Sequence, residues 1–440
     1  MSKVVKFITL GCKVNQYETN AMAQKFLEKG YQIIEEETPE NEEIKPDICI
    51  INTCTVTNMS DRKSRQMLRR VKELNPNSIV IACGCYVQVA KDEVAKIEDI
   101  DLILGNNEKK NIVEHLEQYQ KDKKRQLEIE DLMQQREFIE FGDVTYTEKT
   151  RAVVKIQDGC DRFCSYCIIP YARGRVRSRK PEGIISEITK IAQEGIKEVV
   201  ITGIHVASYG KDFKENYGLI DLLEDLNKIE GIERIRLSSI EPLILDEQFI
   251  NRLSKLEKIC HNFHLSLQSG CDETLKRMNR RYNTEQFKTV VNLIRNTYKD
   301  AILTADVIVG FPGETEEEFE KTYKFLEDVK FYKTHVFKYS PRKGTKAAVM
   351  ENQIDGNIKE QRSKKLIELS NNFEKEYNES YIGKTVEVLW EEEKEGIYKG
   401  HTQNYLLAYY KPEKGDMNLE NKITKANCIS AESDHIIVEI

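Results

Sequence analysis

The chain has 440 residues, 40% of them apolar and 32% charged, with 67 Lys and Arg against 74 Asp and Glu. At ~100–200 residues per domain this predicts two to four domains, and the mixed signs of charge suit solvated globular surfaces rather than disorder. No run approaches the ~18 apolar residues a membrane span needs. Lys6 interrupts the first apolar stretch, Val4–Leu10, and no small-residue cleavage site follows, so neither a membrane nor an export signal is expected. Eleven cysteines cannot all pair internally. In the cytoplasm, the expected compartment, clustered cysteines bind metal or react more often than they form disulfides.

Residues 1–120 alternate short apolar strands with amphipathic helices. Strands are predicted at Val4–Leu10, Asp47–Thr53, Ser78–Ala82 and Asp101–Gly105. Helices are predicted over Tyr17–Lys29 and over Asp61–Leu74, the latter basic and stopped by Asn75-Pro76. Strands separated by helix-length segments require crossovers and hence a parallel sheet. Residues 121–150 are charged and lack apolar periodicity, and read as a linker.

Residues 151–372 repeat the βα rhythm, giving an α/β chain. Strands are predicted at Ala152–Ile156, Glu198–Thr202, Arg234–Ser238, Asn262–Leu267, Ile302–Val309 and Thr334–Tyr339, with a closing helix Asp355–Tyr377. Six such units suggest a partial (β/α)6 barrel, smaller than the eight-fold one. Residues 373–440 alternate like strands at Lys384–Trp390, Gly396–Gly400, Tyr405–Tyr410 and His435–Ile440, a small antiparallel β-module.

The strongest chemical signal is Cys160, Cys164 and Cys167, spaced C-x3-C-x2-C in one loop after a strand. Structural zinc takes four protein ligands and a full iron–sulfur cubane takes four cysteines. Three cysteines leave one iron open, which catalysis needs; a zinc knuckle completed from a distance is the alternative. Cys12, Cys54 and Cys85 each follow one of the first three strands. Ligands of open parallel sheets bind beyond the carboxyl ends of the strands, so these three are expected to converge. Cys83 competes with Cys85 for the third place. Cys49 and Cys83 lie within apolar strands, and Cys260, Cys271 and Cys428 lack partners, so these are expected to be structural.

Thr9-Leu-Gly-Cys-Lys-Val-Asn15, Ile51-Asn-Thr-Cys54, Gly84-Cys85 and the Cys160/Cys164/Cys167 loop together resemble the radical S-adenosylmethionine methylthiotransferases, over essentially the whole chain. One branch of that family modifies isopentenyladenosine in tRNA, one a ribosomal protein side chain, and one threonylcarbamoyladenosine in tRNA. Leu10–Glu18, Thr202–Gly210 and Leu237–Pro242 look most like the third.

The resemblance implies a methylthiotransferase domain over 1–120, a radical-SAM domain over 151–372 and a TRAM β-barrel over 373–440. Cys160, Cys164 and Cys167 would hold a [4Fe–4S] cluster whose open iron binds S-adenosylmethionine, yielding a radical that abstracts hydrogen from adenine C2. Cys12, Cys54 and Cys85 would hold a second [4Fe–4S] cluster that carries the sulfur. Thr202 and Gly203, Ser239 and Glu241, and Ser266 and Gln268 end three successive barrel strands and could hold the cofactor's amino, ribose or carboxylate groups. Val309 could flank its adenine, and Arg280 could reach a carboxylate. A reductant such as flavodoxin or ferredoxin, and a sulfur donor, would be partners.

A tRNA anticodon stem-loop needs a locally basic surface. Arg62, Arg65 and Arg69 lie on the basic helix after Cys54, and Arg173, Arg175, Arg177 and Arg179 follow the radical loop. Phe163 and Tyr171 beside the second patch could stack on splayed bases. The end module departs from this pattern, with 8 Lys against 14 acidic residues from Phe373 onward. A reading of another class is a non-catalytic RNA-binding protein whose cysteines hold zinc.

Overall fold

The computed structural model describes residues 3–34, 45–146, 150–412 and 418–440. The N-terminal unit is one parallel sheet in the order β2-β1-β3-β4-β5-β6. Its strands are β1 (Val4–Thr9), β2 (Gln32–Ile34), β3 (Ile48–Thr53), β4 (Ile79–Gly84), β5 (Leu102–Leu104) and β6 (Gln126–Glu128). Helices α1 (Lys13–Glu28), α2 (Asn58–Leu74) and the five-residue α3 (Cys85–Val89) leave the carboxyl ends of β1, β3 and β4.

β3 is buried on both faces, which is why it reads as a continuous apolar run rather than an alternating one. Ile50 and Ile81 pack with Met22 and Phe26 of α1 on one side, and Cys49 and Ile51 pack with Leu68 and Val71 of α2 on the other.

The expected linker is largely a surface strap. The helix Ile112–Asp122 and strand β6 carry the N-terminal unit past residue 120. Beyond β6, Leu132 and Val144 are buried, and the Glu140 carboxylate accepts from Arg179 at 2.8 Å. An edge strand of three residues and irregularly spaced apolar anchors leave no periodic signature, which is the physical reason the segment reads as a linker. Residues 147–149 of that expectation lie outside the described residues.

The central unit has six parallel strands: β7 (Arg151–Asp158), β9 (Glu198–Gly203), β10 (Arg234–Leu237), β11 (Asn262–Gln268), β12 (Ile302–Val309) and β13 (Lys333–Lys338). A two-residue antiparallel strand β8 (Arg177–Ser178) pairs with β7. The order β8-β7-β9-β10 meets β11-β12-β13 through single bridges, Ile235 to Ile259 and Ile240 to Leu265. The arc is an open partial barrel. Along β12, Leu303, Ala305, Val307 and Val309 face the helices, while Thr304 and Asp306 face an internal cavity.

The C-terminal unit is a closed barrel, β14-β15-β16-β18-β17, of strands Thr385–Lys394, Ile397–Thr402, Leu407–Tyr410, Ile423–Ala431 (β17) and Ile436–Glu439 (β18). It is antiparallel except for one parallel pair, β16 with β18. β17 was not expected: its inward residues include the small Ala426 and Cys428, which give little hydrophobic alternation. Trp390 fills the barrel core and donates from Nε1 to Thr424 Oγ1 at 2.8 Å.

Three arginines dock this barrel on the central unit. Arg234 donates to the carbonyls of His401 and Glu387, and Arg236 to that of Gln403. Arg151 pairs with Glu391 at 3.0 Å. All three gather around buried Glu198, which Arg236 grips in a fork at 2.6 and 3.1 Å.

Candidate cluster sites and the central cavity

Cys12, Cys54 and Cys85 stand at the carboxyl ends of β1, β3 and β4, where crossover helices begin. The strand ends are lashed together. Asn15 donates to the carbonyls of Leu10 and Thr53 at 2.7 and 3.0 Å. Asn52 donates to the Asn15 carbonyl, and Thr53 Oγ1 to the Cys83 carbonyl. Gly11, at φ +107°, is required: a Cβ there would lie 2.7 Å from the Cys54 sulfur. Cys85 opens α3 immediately beyond the strand, whereas Cys83 is fully buried in the core and burial pushes its thiol up to about 11.

The second trio is framed as tightly. At Gly159, φ +69°, a Cβ would collide with the Arg175 carbonyl. Cys160 N donates to the Gly174 carbonyl, and Cys167 N to that of Cys164. Arg280 Nη1 approaches Cys164 Sγ at 3.2 Å, and Asn279 donates to the Phe163 carbonyl. Burial pushes the Cys160 thiol up to about 11 and Cys167 up to about 12. These are protonated thiols until a metal displaces the proton.

The two trios are physically joined. The helix Ile169–Arg173 begins just after Cys167 and ends with Arg173, whose Nε lies 3.1 Å from Cys85 Sγ. The same guanidinium donates to Asn15 Oδ1 at 2.6 Å and to both oxygens of Glu18. Lys109 and Lys155 also grip Glu18, at 2.5 and 2.7 Å, and Lys155 holds Asp158 at 2.6 Å. All of these side chains are buried. Against the pull of burial, Arg173, Lys109 and Lys155 hold Glu18 well below the usual carboxylate range. Glu18 and Asn15 tie the two trios together through Arg173; they lie inside the Leu10–Glu18 motif, where residue-by-residue reading assigns them no role.

Arg173 and its neighbours correct the expected basic patch. Arg173, Arg177 and Arg179 are fully buried. Arg177 donates to the Arg173 carbonyl, and Arg179 pairs with Glu187 at 2.9 Å and with Glu140. Four arginines within seven residues looked like a phosphate surface, but three were already committed to buried carboxylates. Arg175 alone of the four reaches solvent, lying over the Phe163 ring at 4.8 Å. Tyr171 is exposed beside it, edge-on to Phe163. On α2, Arg62 and Arg69 are exposed, while Arg65 lies over Tyr86.

The expected cofactor contacts divide. Ser239 and Ser266 share a hydrogen bond of 2.9 Å on adjacent strand ends. Thr202 is buried, and Gly203 lies against Gln157. Gln268 adopts φ +68° at the end of β11. Glu241 is occupied by Arg162 and His205, which together outweigh burial and bring its carboxyl to about 2. Val309 points into the helix-facing core, opposite to the expected flank, because the strand's alternation sends Thr304 and Asp306 to the other side.

A cavity of about 570 Å³ lies within the arc, a size that suits a small-molecule moiety. Lys13, the residue after Cys12, enters it from the N-terminal unit; Arg236, His264, Asp306 and His335 enter from the strands; Tyr405 closes it from the C-terminal barrel. Tyr405 is stacked on His401 at 4.4 Å, with the Arg236 guanidinium 4.5 Å from its ring.

Among the described residues, the one group of three donors lying mutually within 4.8 Å is Cys271, Glu273 and Glu318. Three thiols in each trio, one short of the four that a full cubane takes, fit an iron–sulfur cluster with one open iron.

Comparison with known proteins gives the context. Residues 154–326 match the radical SAM superfamily and residues 4–105 match a family described as uncharacterized, UPF0004. The chain is 41% identical to the threonylcarbamoyladenosine tRNA methylthiotransferase of Bacillus subtilis, covering 97% of this chain and 94% of that one. It is 40% identical to the Aquifex aeolicus protein of the same name, over 91% of this chain and 95% of the other. A tRNA-2-methylthio-N6-dimethylallyladenosine synthase of Clostridium botulinum is 36% identical over 97% and 96%. Among solved structures, the radical S-adenosylmethionine methyltransferase TsrM of Kitasatospora setae shares the fold at TM-score 0.60 and 15% identity, covering 79% and 77%. With parallel strand-end cysteines, a C-x3-C-x2-C loop on an open barrel and near full-length relatives, the chain belongs to the radical S-adenosylmethionine methylthiotransferase family.

Proposed function

We propose that this enzyme inserts a methylthio group at C2 of N6-threonylcarbamoyladenosine in the anticodon stem-loop of tRNA. The observation that carries this reading is the 40–41% identity to two threonylcarbamoyladenosine methylthiotransferases over nearly the whole chain, against 36% for the dimethylallyladenosine synthase of Clostridium botulinum. Cys160, Cys164 and Cys167 would hold a [4Fe–4S] cluster that binds S-adenosylmethionine, and Cys12, Cys54 and Cys85 a second. Bound there, the two clusters supply one-electron cleavage of S-adenosylmethionine and delivery of sulfur, chemistry that side chains lack and an unactivated aromatic C–H requires.

The chain's own residues orient and shield. Arg280 fixes Cys164, and Arg173 fixes Cys85 from the helix that follows Cys167. Glu241, kept ionised by Arg162 and His205, holds the radical loop against β10. Ser239, Ser266, Thr202, Gly203 and Gln268 line the strand ends available to the cofactor. Arg62, Arg69 and Arg175, with Phe163 and Tyr171, supply cationic and stacking contacts for RNA. A flavodoxin- or ferredoxin-like reductant and a sulfur donor complete the reaction in the cytoplasm.

The test is reconstitution. Anaerobically purified protein should hold about eight iron and eight sulfide per chain, and should convert tRNA so that digests yield 2-methylthio-threonylcarbamoyladenosine by mass. Replacing Cys160, Cys164 or Cys167 by Ala should abolish reductive cleavage of S-adenosylmethionine. Replacing Cys12, Cys54 or Cys85 should spare cleavage and stop sulfur insertion. Zinc without sulfide, or 2-methylthio-isopentenyladenosine as the product, would overturn the reading.

A further inference from the structure

We infer that Lys13 is the specificity determinant that receives the threonyl carboxylate of the substrate base inside the central cavity. The inference rests on the threonylcarbamoyl reading above and deepens it.

Charge accounting within the cavity singles this residue out. Three carboxylates border the space, and each is engaged. Asp306 pairs with His264 at 3.2 Å, Glu374 with Lys333 at 2.7 Å, and Asp434 with His435 at 2.9 Å. Arg236 is equally committed, forked on Glu198 and seated over Tyr405. Lys13 differs: it lines the same cavity, is open to its solvent, and has no ion-pair partner among the described residues.

What the cavity offers is therefore one uncommitted ammonium, directly after Cys12, in a hollow sized for a modified base. A threonylcarbamoyl group carries one carboxylate, on the side chain that extends from N6 of the base. An isopentenyl group is neutral and would leave the ammonium unpaired, which disfavours it. A charge-assisted hydrogen bond is also among the stronger discriminating contacts available.

The experiment measures equilibrium binding of the holoprotein, without reductant, to two anticodon stem-loops. One carries threonylcarbamoyladenosine; the other carries its threonyl methyl ester, neutral at the same position. Native protein should favour the free carboxylate by about 10- to 100-fold. Lys13→Met should bring the two affinities within about twofold, and Lys13→Gln, which keeps a polar tip, should do the same. Lys13→Arg should retain most of the preference. Iron and sulfide content identifies any variant that has lost its clusters, and the Gln variant then carries the comparison. If native protein binds both stem-loops equally, or if the Met and Gln variants weaken both alike, the inference is overturned. Product mass separates the two levels: native protein that makes only 2-methylthio-isopentenyladenosine sinks the functional reading, whereas native protein that makes the threonylcarbamoyl product while the variants keep their preference sinks the role of Lys13 alone.

Discussion

Two buried carboxylates organise the molecule residue by residue. Glu18 gathers Arg173, Lys109 and Lys155 from three separate segments. Removing one member strands the remaining charges in a dry environment, so Arg173→Met should destabilise the chain by roughly 3–5 kcal/mol in chemical denaturation. Arg173→Lys should not restore it, because a single ammonium cannot reach Glu18, Asn15 and Cys85 together. Glu198 holds the C-terminal barrel: burial opposes its charge, but Arg236, with Arg151 and Arg234, keeps its pKa below the ordinary value. A depressed carboxylate stabilises the fold above its unfolded pKa, about 4.3, and that contribution fades as pH falls through the lower folded value. The stability difference between native protein and Glu198→Gln should accordingly be largest near neutrality and shrink below about pH 4. Neither hub was legible in the sequence. A lone Glu within a motif or at a strand start carries no sign of the arginines that will converge on it from far along the chain.

At the scale of elements, periodicity served where one face is buried and failed where anchors are sparse. The strands that precede Cys54 and Cys85 are readable because buried parallel strands are near-continuous apolar runs, and the one before Cys12 because Lys6 alone interrupts it. β17 and the strap after β6 are not, since Ala426, Cys428, Leu132 and Val144 are isolated anchors among polar neighbours. Arginine spacing misled for a related reason: charge density in sequence does not say which side of the chain is inside. α2 is the instructive contrast. Its inward face is Ser64, Leu68 and Val71, and Arg342 from the loop after β13 caps its first turn through Asp61 at 2.6 Å. Arg62, Arg69 and Arg70 remain outward. Reversing Arg62 and Arg69 to Glu should weaken tRNA binding at every sequence and flatten the salt dependence by about one unit of log–log slope for each phosphate no longer neutralised. The same reversal at Arg177 or Arg179 should instead lower thermal stability, which melting would register directly.

For the whole molecule, three architectures that could each be inferred from pattern alone turn out to be locked through surfaces that no pattern revealed. The N-terminal sheet meets the open barrel through Arg173, Tyr17 and Asn106, the last donating to the Ala172 carbonyl at 2.8 Å. The C-terminal barrel meets it through three arginines, of which Arg236 also lines the cavity beside His401, Tyr405 and Leu407 of the barrel, so undocking that barrel should open the cavity. Between sheet and barrel the covalent path runs along the surface strap, fastened by Glu140 on Arg179 and by two buried side chains. Covalent continuity there contributes little to holding the halves together, because the ionic cluster around Glu18 and the packed junction do so independently. A single protease cut near Arg136 should leave a severed chain that co-migrates as one particle and comes apart only in denaturant, and the two pieces, produced as separate polypeptides, should find each other again.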